Sequence, residues 1–170
     1  ACVINSEGQN GCEFITKREC LEKTGSSLNF KENKLCTHPD LNTSCRPTNK
    51  TRCEGEKVYW VDSCGNLANI YDASKVNSEE YWSRKMGVNE SCSSNSGNIG
   101  SKTCGNCNRF LGSSCGRAED IEPEYGDKIC KDLNCKDAPD VVDAQGNILS
   151  RKDRRNGESW CVYDSKIGQG

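Results

Sequence analysis

Apolar positions are sparse along this chain, and only a few stretches show a period that fixes an element. The longest apolar run is Val58-Tyr59-Trp60-Val61. Turn residues Asp62-Ser63-Cys64-Gly65-Asn66 follow it, then a second strand-like stretch from Leu67 through Tyr71, and together these predict a β-hairpin. A second hairpin is expected at Asn156-Gly157, the type I′ dipeptide, which would set Arg155 opposite Glu158 and lead into Ser159-Trp160-Cys161-Val162-Tyr163. Gly146-Asn147 marks a further turn before Ile148 and Leu149.

The strongest helix signal is Thr16-Lys17-Arg18-Glu19, a capping box in which each end residue satisfies a backbone donor of the other. Gly25 is placed to end that helix, and Ile15 and Cys20 occupy staple positions. A second short helix is predicted from Asn77, with Asn77 and Glu80 as a weaker cap pair and Tyr81, Trp82 and Met86 as its apolar stripe. The Ser- and Asn-rich stretch 91–101 has no period and reads as a surface loop or linker. The fold class that results is small, disulfide-rich and mostly irregular, with short β-hairpins and one or two short helices.

Composition explains why cysteine must carry the fold. Leu, Ile, Val and Phe make up roughly a sixth of the residues, below what an ordinary core needs, whereas fourteen cysteines in 170 residues reach the density of a disulfide scaffold. Thiols this dense persist as bridges only in an oxidising compartment, so an extracellular or cell-surface location is expected. All fourteen are candidate disulfide partners: Cys2, Cys12, Cys20, Cys36, Cys45, Cys53, Cys64, Cys92, Cys104, Cys107, Cys115, Cys130, Cys135 and Cys161. Their connectivity is not readable from the sequence. Their spacing suggests an N-terminal lobe over 1–53, a middle segment over 54–103 with the hairpin, the short helix and the linker, and a C-terminal lobe over 104–170.

The net charge of −2 comes from interspersed signs, which argues against nucleic acid as a partner. No apolar run is long enough to span a bilayer. The N-terminus has no signal-peptide pattern, so export would have used a segment no longer present, and the ending Ile167-Gly168-Gln169-Gly170 suggests a longer parent chain.

Candidate chemistry is weak throughout. His38, the only histidine, lies in the polar turn Cys36-Thr37-His38-Pro39-Asp40 and reads as a turn residue rather than a catalytic base. Glu119, Asp120, Glu122 and Glu124 straddle Pro123 and read as a solvated acidic loop rather than an acid/base pair. Cys104-Gly105-Asn106-Cys107, the only CxxC, could with Cys130 and Cys135 form a four-thiolate zinc site, but bridges are the better reading in an oxidising setting. Asp137, Asp140 and Asp143 supply oxygen ligands for Ca²⁺ without the EF-hand spacing, and a solvated acidic turn is the simpler reading. No metal or cofactor is therefore called for. The sequons place candidate glycosylation at Asn42, Asn49 and Asn89. Most aromatic residues are expected to form small cores, while Trp60, Trp82 and Trp160 are the candidates for stacking on a ligand. Arg151-Lys152-Asp153-Arg154-Arg155 reads as the charged face of an edge hairpin.

At Val58-Tyr59-Trp60-Val61-Asp62-Ser63-Cys64-Gly65-Asn66, Cys104-Gly105-Asn106-Cys107 and Asn156-Gly157-Glu158-Ser159-Trp160-Cys161 the chain resembles uncharacterised cysteine-rich secreted proteins predicted from archaeal genomes. The resemblance implies an extracellular setting and brings no activity, cofactor or catalytic residue with it. The expectation is a non-enzymatic extracellular structural protein: a glycosylated surface or filament subunit, or a segment of an adhesive protein, that associates with itself or with other extracellular proteins. The alternative is a carbohydrate- or protein-binding module using exposed Trp and Tyr.

Overall fold

The computed structural model of the chain describes residues 1–6 and 9–164, so the expectations placed on 167–170 lie outside it. Four small sheets and two short helices carry the regular structure. Strands β1 (Cys2–Ser6) and β2 (Gln9–Glu13) pair antiparallel and are followed by α1 (Lys17–Thr24). Strands β3 (Lys50–Glu54), β4 (Lys57–Val61) and β5 (Leu67–Ile70) form an antiparallel sheet in that order, and α2 (Glu79–Ser83) packs against it. Strands β6 (Ser113–Arg117) and β7 (Lys128–Asp132) make a third sheet. In the fourth, β8 (Cys135–Val142) lies between β9 (Ile148–Arg154), antiparallel to it, and β10 (Tyr163–Asp164), parallel to it.

The capping box forms as expected. Thr16 Oγ1 accepts from the Glu19 N–H, and Glu19 Oε2 accepts from the Thr16 N–H at 2.8 Å. Gly25, at φ 70°, ends the helix with its N–H on Leu21 O, a backbone conformation that costs glycine little. Eight residues are too few for a helix to persist alone, and the only side chain α1 buries is Cys20, which is bonded to Cys2 in β1. The helix is thus held by a covalent bond rather than by an apolar face.

The central hairpin also forms where expected. Asp62 Oδ1 accepts from the N–H groups of Cys64 and Asn66, which closes the turn between β4 and β5. Strand β3 was not foreseen, because Lys-Thr-Arg-Cys-Glu has no apolar alternation. It is recruited by the two-residue turn Gly55-Glu56, where Gly55 takes φ 56° and Glu54 pairs with Lys57. Strands β1 and β2 likewise carry no alternation of apolar and polar residues. Helix α2 begins one residue later than Asn77 predicts, with Ser78 Oγ accepting from the Tyr81 N–H.

Aromatic rings fill the interior that aliphatic residues leave empty. Trp60, Tyr71, Tyr81 and Trp82 are buried together with Leu35, Val58 and the Cys107 and Cys130 sulfurs, so one core draws on the N-terminal, middle and C-terminal segments. The Trp60 ring lies 4.8 Å from Tyr71 in an edge-on arrangement, 5.6 Å from Trp82 and 5.8 Å from Tyr125. Its Nε1–H is buried with no hydrogen-bond acceptor among the described residues. Buried Asn69 joins helix to sheet: its Nδ2 donates to Tyr81 O and Arg84 O, and its Oδ1 accepts from the Met86 N–H. A second, smaller core gathers Ala1, Val3, Leu41 and three cysteines.

Six disulfides connect these pieces: Cys2–Cys20, Cys12–Cys36, Cys45–Cys64, Cys53–Cys115, Cys92–Cys104 and Cys107–Cys130. Cys53–Cys115 ties β3 to β6 across 62 residues, and Cys92–Cys104 closes the Ser/Asn-rich loop at its base. That loop packs inward: Asn98 Nδ2 donates to Ser93 O and Asn106 O, and the Gly100 N–H donates to Cys130 O. The expectation of full pairing is corrected at two positions, because Cys135 and Cys161 are exposed and carry unbonded thiols.

Candidate functional site

The two cysteines of the CxxC motif diverge to different disulfide partners, Cys104 to Cys92 and Cys107 to Cys130. Between them, Gly105 threads alongside the central hairpin as an extra strand-like residue. Its N–H donates to Tyr71 O, and its carbonyl accepts from the Val58 N–H. A Cβ there would stand 2.5 Å from Val58 Cβ and 2.8 Å from Tyr71 Cβ, so only glycine fits. Asn106, also buried, donates to Cys92 O, and Lys57 Nζ donates to both Asn106 Oδ1 and Cys107 O, with burial lowering the Lys57 pKa. Among the described residues, one triad of metal-type ligand atoms comes together, Cys45, Asp62 and Cys64, and its two sulfurs are bonded to each other.

His38 lines a surface groove of about 520 Å³ with Thr37, Asn42, Arg46, Glu79 and Trp82. Its Nδ1 accepts from the Asp40 N–H, which caps a turn. The two serines of the groove are likewise committed, Ser78 as the α2 cap and Ser83 as a donor to Glu79 O. Trp82 contributes an edge to the groove while its Nε1–H donates to Val76 O. Here the stacking expectation is corrected: Trp60 is 0% and Trp82 3% exposed, so neither presents a face to a ligand. A chain this poor in aliphatics needs those rings inside.

The acidic candidates are dispersed. Glu119 pairs with Lys131, which holds its carboxyl below the usual range, and Glu122 and Glu124 are exposed on the same loop. Of the three aspartates weighed for calcium, Asp140 pairs with Arg154, and Asp143 accepts from the Gln145 and Asn147 N–H groups and from Asn147 Nδ2 to cap its own turn. Asp137 sits at φ 53° in a β-bulge with its N–H on Asp153. The carboxylates of Asp140 and Asp143 are thus engaged by the protein itself, and Asp137 is engaged through its backbone, with its carbonyl accepting from Arg151. The sequon residues Asn42, Asn49 and Asn89 are all exposed, and Asn42 stands at the rim of the groove.

The fourth sheet is organised by Arg154, expected as part of a charged edge face, and by Trp160, expected as a ligand-stacking residue. Strand β9 is an edge strand with Arg151 and Lys152 exposed, as expected. Arg154, however, turns inward: it pairs with Asp140 and Glu158, its guanidinium lies 5.3 Å from the centre of the Trp160 ring, and its Nε–H is buried without a partner. Trp160 Nε1–H donates to Pro139 O. This anchor corrects the second predicted hairpin. Asn156-Gly157 does turn the chain, with the Glu158 N–H on Arg155 O, but Trp160 then carries the segment across β8, so β10 runs parallel to β8 instead of antiparallel to β9. Cys161 lies beside Arg154, Ser159 and Trp160 in a shallow pocket, and Cys135 opens β8 opposite Arg154.

No helix among the described residues is long and apolar enough to cross a membrane. The six bridges and the small, mostly strand and irregular architecture are those of a disulfide-stabilised extracellular domain. Compared with protein-family models, curated proteins and solved structures, the chain matches none.

Proposed function

We propose that this chain is a non-enzymatic structural protein of an extracellular assembly, a surface or filament subunit or a segment of an adhesive protein. The observation that carries the reading is the distribution of cross-links. Bridges begin at Cys2, reach Cys130 and anchor three of the four sheets, with Cys53–Cys115 joining two of them directly, so that unfolding any one of these parts must work against a closed covalent loop. Such a chain resists proteolysis and heat through slow opening rather than through a large core. Exposed Asn42, Asn49 and Asn89 are positioned to carry glycans that shield the polar turns. The engagement of His38 Nδ1, Ser78 and Ser83 in turn and helix capping supports a structural role for that region.

A second reading is favoured by one feature. The groove beside Trp82 has the volume of a small-ligand site and mixes Arg46, Glu79 and amide groups, which suits a sugar or a short peptide. Electron microscopy of native material, with glycan-array binding of the purified protein, separates the two. Ordered polymers and no array signal are expected; a monodisperse monomer that binds a defined glycan refutes the structural reading in favour of the binding module.

A further inference from the structure

Two thiols are left over in a protein that otherwise bonds every cysteine among its described residues, and both lie at one sheet, Cys135 in β8 and Cys161 two residues before β10. Cys135 opens β8, while Cys161 is flanked by two anchors to the other part of that strand, the Trp160 Nε1–H on Pro139 O and the pairing of Tyr163 with Val141. Cys135 and Pro139 are four residue steps apart along β8, which at about 3.3 Å each places the two cysteines on the order of 10 Å apart even after the bulges of β8 are allowed for. A disulfide needs Cα atoms within about 7 Å, so the pair does not close on itself in this arrangement.

The location matters as much as the distance. The other three sheets each hold bridged cysteines, whereas this sheet holds none among the described residues. It also concentrates exposed apolar side chains. Ile148, Leu149 and Val162 lie on or beside it, and Phe110, 96% exposed, shares a shallow pocket with Asn134 and Asn156, whose amide also donates to Arg109 O. Next to Cys161, the Arg154 side chain is only 10% exposed and its Nε–H has no acceptor. An unbridged sheet with an open edge strand and exposed apolar side chains is an unfinished surface.

We infer that this sheet is a covalent junction between copies of this chain, closed by disulfides in which Cys135 and Cys161 bond the same two cysteines of a second copy. The inference deepens the structural reading above and rests on it. A second copy is the occupant because the chain supplies two thiols that cannot satisfy each other, the valence that lets identical subunits join into a continuous polymer or a doubly bridged dimer. The chemistry is thiol–disulfide exchange with a low-molecular-weight disulfide. A cysteine thiolate attacks it and forms a mixed disulfide while expelling one small thiolate. A thiolate of the second copy then displaces the other, so two protein thiols become one bridge and the small disulfide becomes two thiols.

The test oxidises the full chain, its six internal bridges intact, with a glutathione redox buffer at high protein concentration, and reads non-reducing electrophoresis and disulfide peptide mapping. Wild type is expected to form covalent multimers held by Cys135 and Cys161, either a ladder or a doubly bridged dimer. Cys135→Ser and Cys161→Ser each stop at dimers or below, and the double variant stays monomeric with all six internal bridges. The inference is overturned by a wild-type monomer, by stable glutathione adducts alone, by a Cys135–Cys161 bridge within one chain, or by a ladder that persists in the double variant. Native polymers that carry both thiols free would sink this junction and leave the structural reading standing; covalent multimers from a protein found natively as isolated monomers would do the reverse.

Discussion

Removing Cys53–Cys115 should cost this protein more than any side-chain truncation on its surface. The double variant Cys53→Ala, Cys115→Ala removes both partners of the bridge, so the substitution adds no new thiol to the free Cys135 and Cys161. The bridge closes 62 residues, for which the chain-entropy relation gives about 4 kcal/mol. The Cys92–Cys104 bridge lies inside that loop and short-circuits only 12 residues, and because the dependence is logarithmic the figure stays at about 4 kcal/mol. Both cysteines are half-buried, so little packing is lost with the sulfurs. A domain holds about 5–15 kcal/mol in total, so this single cross-link represents a large share. Equilibrium urea unfolding followed by tryptophan fluorescence reads it. With a slope of about 2 kcal/mol/M, the midpoint should fall by about 2 M, and the slope itself should rise because the denatured chain expands. A loss below about 1 kcal/mol, with the other five bridges verified by peptide mapping, would refute the claim that long-range cross-links replace the missing aliphatic core.

Three other outcomes follow from the packing. Gly105→Ala drives a methyl group into Val58 and Tyr71 and should destabilise by about 1–3 kcal/mol in the same unfolding assay, whereas Gly146→Ala, where a Cβ meets open space, should show only the smaller cost of its positive φ. Asn69→Ala strands two carbonyls and one N–H between β5 and the chain after α2, and should cost about 2–4 kcal/mol; Asn69→Asp does not rescue it, because a carboxylate cannot donate to Tyr81 O and Arg84 O. The Glu19 carboxyl is held below its ordinary pKa by hydrogen bonds from the Thr16 side chain and backbone, so its contribution is present above the unfolded carboxylate pKa and is lost as pH falls through the lowered folded value. NMR titration should place it low in the wild type and closer to ordinary in Thr16→Ala, which keeps the backbone donor.

The parts legible in advance are those in which neighbouring residues satisfy one another. Thr16 and Glu19 are three residues apart and need no third element; Asp62 closes its own turn onto Cys64 and Asn66. The parts that escaped depend on distant partners. Strand β3 is polar along its whole length and exists because Gly55 folds it onto β4 and Cys53 meets Cys115. The Asn156-Gly157 signal was real, yet the Arg154–Trp160 contact and the Pro139 carbonyl decided where the chain went after the turn. The CxxC looked like a unit because its cysteines are close in sequence, but Gly105 passing between Val58 and Tyr71 sends them to opposite partners.

From its residues alone, the chain announces an oxidising environment, a fold stapled by sulfur, a capped first helix, a central hairpin and aromatic cores, because density, composition and local hydrogen-bonding geometry are written in order along it. Tertiary structure decided which cysteines meet, why Trp60 and Trp82 are interior rather than binding faces, and that Cys135 and Cys161 remain unpaired on one exposed sheet. A disulfide is set by the distance between two Cα atoms, and that distance depends on every turn folded between them.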